Sequence, residues 1–212
     1  MTARPVVTLS LEGVKGAIHL PAIETVFLDA AIDASDFDAV IFTSKQAVKA
    51  LVRLNGECKS LKVFSIGAAT SRLATKLGYA VCLESPKPSA NRLAEAIAER
   101  YRDLRFCYPR AREVIGELER ILKREGVVCQ SFVVYETRSK AIDANLIPND
   151  AAIVFSSPSA VKSFFSQTKW RSDWRAVALG QSAAKTLKPF APYQISPKTD
   201  IDAAVAFAAS LK

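Results

Sequence analysis

The chain has 212 residues, half of them apolar and 24% charged, and carries a formal charge of +8. This length suits one large or two small domains, and the composition excludes general disorder and leaves material for two modest cores. No run reaches the roughly eighteen apolar residues of a membrane span, which excludes a helical membrane protein. The basic excess favours an acidic partner: nucleic acid, an anionic membrane surface or a multiply charged small molecule. No apolar stretch follows a basic N-terminal region, so no signal peptide is expected and the protein is read as soluble and cytoplasmic. The cysteines, Cys58, Cys82, Cys107 and Cys129, form no C-x-x-C pair. They read as small apolar thiols in a reducing compartment, not as disulfides or metal ligands.

In chain order, residues 6–9 predict a first strand. Glu12-Gly13-Val14-Lys15-Gly16 leaves little room for a helix before the alternating run at 22–28. A parallel crossover normally takes a dozen or more residues, so the first crossover helix is expected to be lost. Residues 38–43 predict a buried strand, apolar at consecutive positions. Residues 45–54 space Ala47, Val48, Leu51 and Leu54 along a helical face that stops at Asn55-Gly56. Strands are predicted at 63–66, 79–83 and 105–108, with helices over 70–77 and after the cap residue Ser89. Residues 109–112 read as a basic turn, and 114–125 as a helix closed by Gly126. The extended run 127–137 exceeds the usual strand length. Its second half, 132–137, is read as the partner of 25–28, each segment carrying the chain between domains. The remainder alternates: strands at 152–155, 176–179 and 193–195, helices at 159–165, 182–187 and 201–211.

Part of this pattern occurs twice. Ile41-Phe42-Thr43-Ser44 with Ala47-Val48 matches Val154-Phe155-Ser156-Ser157 with Ala160-Val161. Ile66-Gly67 matches Leu179-Gly180, and Ser85-Pro86-Lys87 matches Ser196-Pro197-Lys198. The offset stays near 113 positions for the first two landmarks and near 111 for the third, which indicates an internal duplication. Alternating strands and helices indicate parallel α/β sheets covered on both faces. The N-terminal strand has no complete unit of its own. The chain is therefore read as a discontinuous α/β domain over 1–30 and 134–212 with an inserted α/β domain over 31–133, in preference to two sequential domains split near Asp150.

In open α/β sheets, ligands bind beyond the carboxyl ends of the strands. Four turns fall there: Thr43-Ser44, Gly67 to Thr70, Ser156-Ser157, and Gly180 with Ser182. Each opens a helix whose first N–H groups attract anions, and the hydroxyls add donors. As plain helix caps, such hydroxyls would contribute about 1 kcal/mol each. Arg110 and Arg112 are further candidate anion contacts. His19 is the single histidine, so no metal site is expected. Nucleophile-elbow, P-loop and dinucleotide fingerprints are missing. Tyr135 combines acid–base capacity with a position between the two domains, although a tyrosine in a strand is usually a packing residue.

Taken together, these motifs resemble the uroporphyrinogen-III synthase family. The resemblance rests on Ile41-Phe42-Thr43-Ser44 with Ala47-Val48, Ile66-Gly67 with Thr70, Tyr135-Glu136-Thr137 ending a long strand, Phe155 to Val161, and Leu179-Gly180 with Ser182, over nearly the whole chain. It implies two similar parallel-sheet α/β domains joined by a two-stranded linker, with the active site in the interdomain cleft. It also implies a cofactor-independent lyase that closes hydroxymethylbilane to uroporphyrinogen III, with loss of water and inversion of the last pyrrole ring. The substrate is an octacarboxylate whose spontaneous closure gives the uninverted isomer. Tyr135 becomes the candidate proton donor. Thr43, Ser44, Gly67, Thr70, Arg110, Ser156, Ser157, Gly180 and Ser182 become substrate-binding candidates. The chain departs from the family at Ala183, where a second hydroxyl is expected after Ser182, and at the short connection over 12–16. No metal, cofactor, nucleic acid or membrane partner is expected, and a monomer is. The alternatives are a two-domain module that binds a polyanionic small molecule and, on charge alone, a nucleic-acid-binding protein; the basic residues are too dispersed to favour the latter.

Overall fold

The computed structural model describes residues 4–54, 58–114 and 116–211. The chain first runs through β1 (Val6–Thr8), β2 (Ile18–His19), β3 (Ile23–Phe27), β4 (Ala39–Phe42), α1 (Lys45–Leu54), β5 (Lys62–Ser65), α2 (Ala68–Lys76), β6 (Val81–Glu84) and α3 (Ala90–Arg100). It continues through β7 (Phe106–Ala111), α4 (Leu118–Arg124), β8 (Cys129–Ser139), β9 (Ala152–Phe155), α5 (Pro158–Phe165), β10 (Arg175–Ala178), α6 (Gln181–Leu187), β11 (Tyr193–Ile195) and α7 (Ile201–Ala209). Tertiary contacts divide it into two units: Met1–Glu24 with Thr137–Lys212, and Thr25–Glu136.

The inserted unit, Thr25–Glu136, holds a sheet in the order β3-β8-β7-β4-β5-β6. Neighbours from β8 to β6 are parallel. All four residues of β4 are buried, as parallel strands covered on both faces require. They alternate with the period of two that a strand imposes. Val40 and Phe42 join the cluster formed with Val48 and Leu51 of α1 and Ala74 of α2. Ala39 and Ile41 join the opposite cluster, with Leu93 and Ile97 of α3 and Leu122 of α4. Phe64 is fully buried in this second cluster and meets Tyr101 and Phe106 edge-on, at centroid distances of 4.8 and 5.0 Å.

The discontinuous unit has the order β11-β10-β9-β1-β2, parallel throughout. Ile153 and Phe155 face α5 and α6 through Val161, Phe164, Ala184 and Leu187. Ala152 and Val154 face Ala204, Val205 and Ala208 of α7, with Val14 and Ala17 packed alongside. The connection from β1 to β2 contains no helix among the described residues, whereas the connection from β7 to β8 carries α4. Val14 and Ala17 thus cover the apolar face that a crossover helix would otherwise cover. The Leu28 N–H donates to the Val134 carbonyl, and the Lys140 N–H to the Ala22 carbonyl, each at 2.9 Å. Strands β3 and β8 therefore run antiparallel, and they are the two passages of the chain between the units.

Three sequence expectations change. Residues 109–111 are not a turn: they extend β7, paired with Phe132, Val133 and Tyr135 of β8. The pairing of β7 with β4 ends at Cys107, so beyond it β7 has a single neighbour, and a proline is tolerated there. The helix expected from residue 114 starts at Leu118, because Gly116 adopts φ 108°, outside the helical region. The long run forms one strand to Ser139, eleven residues in all, because β8 pairs first with β7 and then with β3. The expected helix stop at Asn55-Gly56 lies outside the described residues.

The Phe64 packing yields a stability prediction. Phe64→Ala should lower the unfolding free energy of the inserted unit by about 3–5 kcal/mol. Urea unfolding followed by circular dichroism measures it, since both tryptophans, Trp170 and Trp174, belong to the other unit. A loss under about 1 kcal/mol would contradict the described core.

Candidate active site

In the inserted unit, Thr43 and Ser44 join β4 to α1. Ser44 Oγ accepts the Ala47 N–H at 3.0 Å, a cap bond that contributes about 1 kcal/mol. The same Oγ lies 2.7 Å from Tyr135 Oη. Thr43 Oγ1 lies 3.2 Å from Tyr108 Oη. Adjacent residues of one turn thus engage two phenols. Strands β5 and β6 are added on one side of β4, and β7 and β8 on the other, so β4 and β7 flank a switch point, where doubly wound sheets take ligands.

A bulge aims Tyr135 at this turn. Arg110 stands opposite Val133, but Ala111 stands opposite Tyr135, which leaves Val134 as the extra residue. A regular strand would turn Val134 and Tyr135 to opposite faces. Here both pack in the cluster with α1, the re-aiming that a bulge produces. The Tyr108 ring packs in the opposite cluster, with α3 and α4. The rings occupy different faces of the sheet, and their hydroxyls converge at its carboxyl edge.

Both phenols are buried, Tyr108 to 3% exposure and Tyr135 to 8%. Burial pushes the Tyr135 pKa up, and the Ser44 hydrogen bond pulls it partly back. Burial also pushes Tyr108 up; the Thr43 bond opposes it, Glu119 reinforces it, Arg110 opposes it and Tyr135 reinforces it. Both groups are neutral donors at pH 7.

Arg110 is held by other partners. Its Nη1 donates to the Ala111 carbonyl at 2.9 Å and the Arg112 carbonyl at 3.3 Å. Its Nε lies 3.4 Å from Glu119 Oε2, an ion pair in which the buried Nε makes no hydrogen bond. Beside it, a pocket of about 240 Å³ is lined by Tyr108, Val114 and residues 116–120. Gly67 is the N-cap of α2, and Thr70 in the first turn of that helix is 5% exposed. His19 Nε2 lies 2.9 Å from the Ser10 carbonyl oxygen, and no group of three metal-ligating side chains occurs among the described residues.

The discontinuous unit repeats the turns without the phenols. Ser157 caps α5 by accepting the Ala160 N–H at 3.2 Å, with Ser156 half-buried before it. Gly180 is the N-cap of α6 and offers no side-chain cap. Ser182 is exposed, while Ala183 is 2% exposed and packs in the core. In the repeat Ala183 takes the place of buried Thr70, and Ser182 that of exposed Ala69. The structure brings Thr43, Ser44 and Tyr135 together and adds Tyr108 and Glu119, which the sequence reading missed. Tyr108 lies within β7 and not at its end, so the carboxyl-end rule does not select it; its contact with Thr43 places it in the site.

The family model described as uroporphyrinogen-III synthase HemD matches residues 8–206. The chain belongs to the uroporphyrinogen-III synthase family. The activity is that of a cyclising lyase of tetrapyrrole biosynthesis, independent of a cofactor, whose substrate is hydroxymethylbilane and whose product is uroporphyrinogen III. The fold is similar to that of uroporphyrinogen-III synthetase from Helicobacter pylori, with a TM-score of 0.84 and 23% identity over 99% of this chain and 100% of that one. A mutant uroporphyrinogen III synthase from Thermus thermophilus gives a TM-score of 0.57 and 14% identity, with 97% of each chain covered. No curated protein matches the chain significantly.

The two buried phenols of this synthase-family chain carry a pH signature. Their folded pKa values lie above the unfolded one, so their contribution to stability is constant below about pH 10 and is lost as pH rises through the folded values. In an ultraviolet difference titration, Tyr108→Phe and Tyr135→Phe should each remove one late-ionising phenol. Loss of a component titrating near pH 10 instead would contradict the buried environment.

Proposed function

We propose that Tyr135 donates the proton that lets the terminal hydroxyl of hydroxymethylbilane leave as water, and that Ser44 steadies the phenol oxygen as it does so. The observation that carries this reading is the 2.7 Å contact between Ser44 Oγ and Tyr135 Oη. Ser44 Oγ already accepts the Ala47 N–H, so its own proton is free for the phenol oxygen. The phenol proton can then point away from the protein. Cleavage of the C–O bond gives water, the azafulvene cation and a phenolate that Ser44 solvates. Attack at the substituted carbon of the last ring gives the spiro intermediate, which fragments and recombines with that ring inverted. The proton released when the ring regains aromaticity returns to the phenolate, so the enzyme ends unchanged.

The turns at Thr43-Ser44, Gly67, Ser156-Ser157 and Gly180 supply the carboxylate contacts in this reading. Each combines the unpaired N–H groups of a helix start with small side chains that allow close approach. Thr70 is too buried to serve as a direct contact, and Arg110 would have to exchange Glu119 for a substrate carboxylate. No helix among the described residues is long and apolar enough to cross a membrane. Free thiols at Cys82, Cys107 and Cys129 fit the reducing cytoplasm to which we assign the chain, as a monomer. A sedimentation mass of two chains would overturn the monomer.

Tyr135→Phe tests the proton donor. General-acid assistance contributes on the order of 100- to 10,000-fold, and turnover should fall near the lower end because the hydroxyl also leaves unaided. KM should change little, since the ring remains. Ser44→Ala should lower turnover less, because the phenol survives. Near-normal turnover of a Tyr135→Phe enzyme with native circular dichroism would remove Tyr135 from the chemistry.

A further inference from the structure

Tyr108 is a buried phenol with no part in the proton transfer above. Its ring sits among Leu93, Leu118 and Leu122 in the cluster against α3 and α4, where phenylalanine would pack equally well. Its hydroxyl reaches the turn that follows β4, 3.2 Å from Thr43 Oγ1. Burying a hydroxyl is unfavourable unless it is hydrogen-bonded, and Thr43 supplies that partner. Thr43 is half-buried and directly precedes Ser44, the partner of Tyr135. A phenol is protonated at neutral pH, so Tyr108 is available as the donor. When Tyr108 donates to Thr43 Oγ1, the Thr43 proton is directed away from the sheet, toward whatever occupies the edge.

We infer that Tyr108 is a positioning residue for ring inversion, acting through Thr43, whose hydroxyl it holds ready to donate to a carboxylate of the bound bilane. The inference rests on the reading that the Thr43-Ser44 turn binds substrate. A carboxylate fixed there sets where the last ring lies relative to Tyr135. Tyr108 thereby governs which carbon of that ring is attacked, whereas Tyr135 governs how fast water leaves. Loosening Thr43 lets part of the bound substrate close at the unsubstituted carbon, and the uninverted isomer forms on the enzyme.

The test is a double-mutant cycle of Tyr108→Phe and Thr43→Val, read by steady-state kinetics and by chromatography of the isomers. Isomers are measured in single turnovers with enzyme in excess, so that closure in free solution does not contribute. Tyr108→Phe should raise KM roughly 3- to 10-fold, the effect of one neutral hydrogen bond, with kcat nearly unchanged and a measurable fraction of uninverted product. Thr43→Val, which keeps the shape and loses the hydroxyl, should do the same. The double variant should be no worse than either single variant, since one interaction is removed in all three. Thr43→Ser, which keeps the hydroxyl and loses the methyl, should retain wild-type KM and isomer ratio. Additive losses, or a folded Tyr108→Phe enzyme with wild-type KM and isomer ratio, would overturn the inference. So would recovery of function in Thr43→Val but not in Thr43→Ser, which would make the role one of packing. A Tyr135→Phe enzyme with normal turnover, alongside intact Tyr108–Thr43 coupling, would remove the proposed proton donor and leave this inference standing.

Discussion

A parallel strand covered on both faces can present polar groups only at its ends, and that constraint governs where this molecule can act. Every residue of β4 is buried between two apolar clusters, and every residue of β9 is buried likewise. Any unpaired charge placed along them would lack solvation. Hydroxyls and free N–H groups therefore collect where the strands stop, at Thr43-Ser44 and Ser156-Ser157. The helix that follows each turn adds the backbone donors of its first turn. Apolar burial along the strands and backbone donors gathered at their ends are two consequences of one arrangement.

Duplication supplied two such edges, and the two have diverged. The repeat places Ala39 at the position of Ala152; Ala39 pairs with Phe106, and Ala152 pairs with Val6. Thr8 therefore stands in the discontinuous unit where Tyr108 stands in the inserted one. Thr8 is fully buried and its hydroxyl has no partner, so nothing there reaches the edge. Other details of the repeat survive to the level of single bonds. Ser85 Oγ donates to the Lys87 carbonyl at 2.6 Å, and Ser196 Oγ to the Lys198 carbonyl at 2.7 Å. The turns were kept in both units, while the phenols stand in one.

The chemistry assigned to this site asks little of electrostatics and much of geometry. Neutral phenols held by hydroxyls are weak acids, and Arg110 is occupied by Glu119. That ion pair is half-exposed and contributes about 0–1 kcal/mol, so it orients more than it stabilises. A reaction that proceeds unaided to the wrong isomer needs its substrate held in one conformation, and fixed hydroxyls do this at low entropic cost. Ser44, committed at once to a helix cap and to Tyr135, has its side chain fixed by the fold itself.

Much of this was legible in the amino-acid sequence. Hydrophobic periodicity located β4, α1, β9 and α5, because burial on both faces leaves a continuous apolar run and burial on one helical face leaves a spacing of three and four. Serines ahead of those helices marked the caps, and the repeat marked equivalent turns. The sequence could not reveal the bulge at Val134, since an extra residue is defined only against the partner strand β7. It misread residues 109–111 as a turn for the same reason: proline and arginine carry a turn signal locally, and only pairing with β8 overrides it. Tyr108 stayed hidden because its hydroxyl meets Thr43, a contact between residues 65 positions apart. Local pattern determined which segments are strands, helices and capped turns; strand order and register, set by long-range packing, decided which side chains meet at the edge.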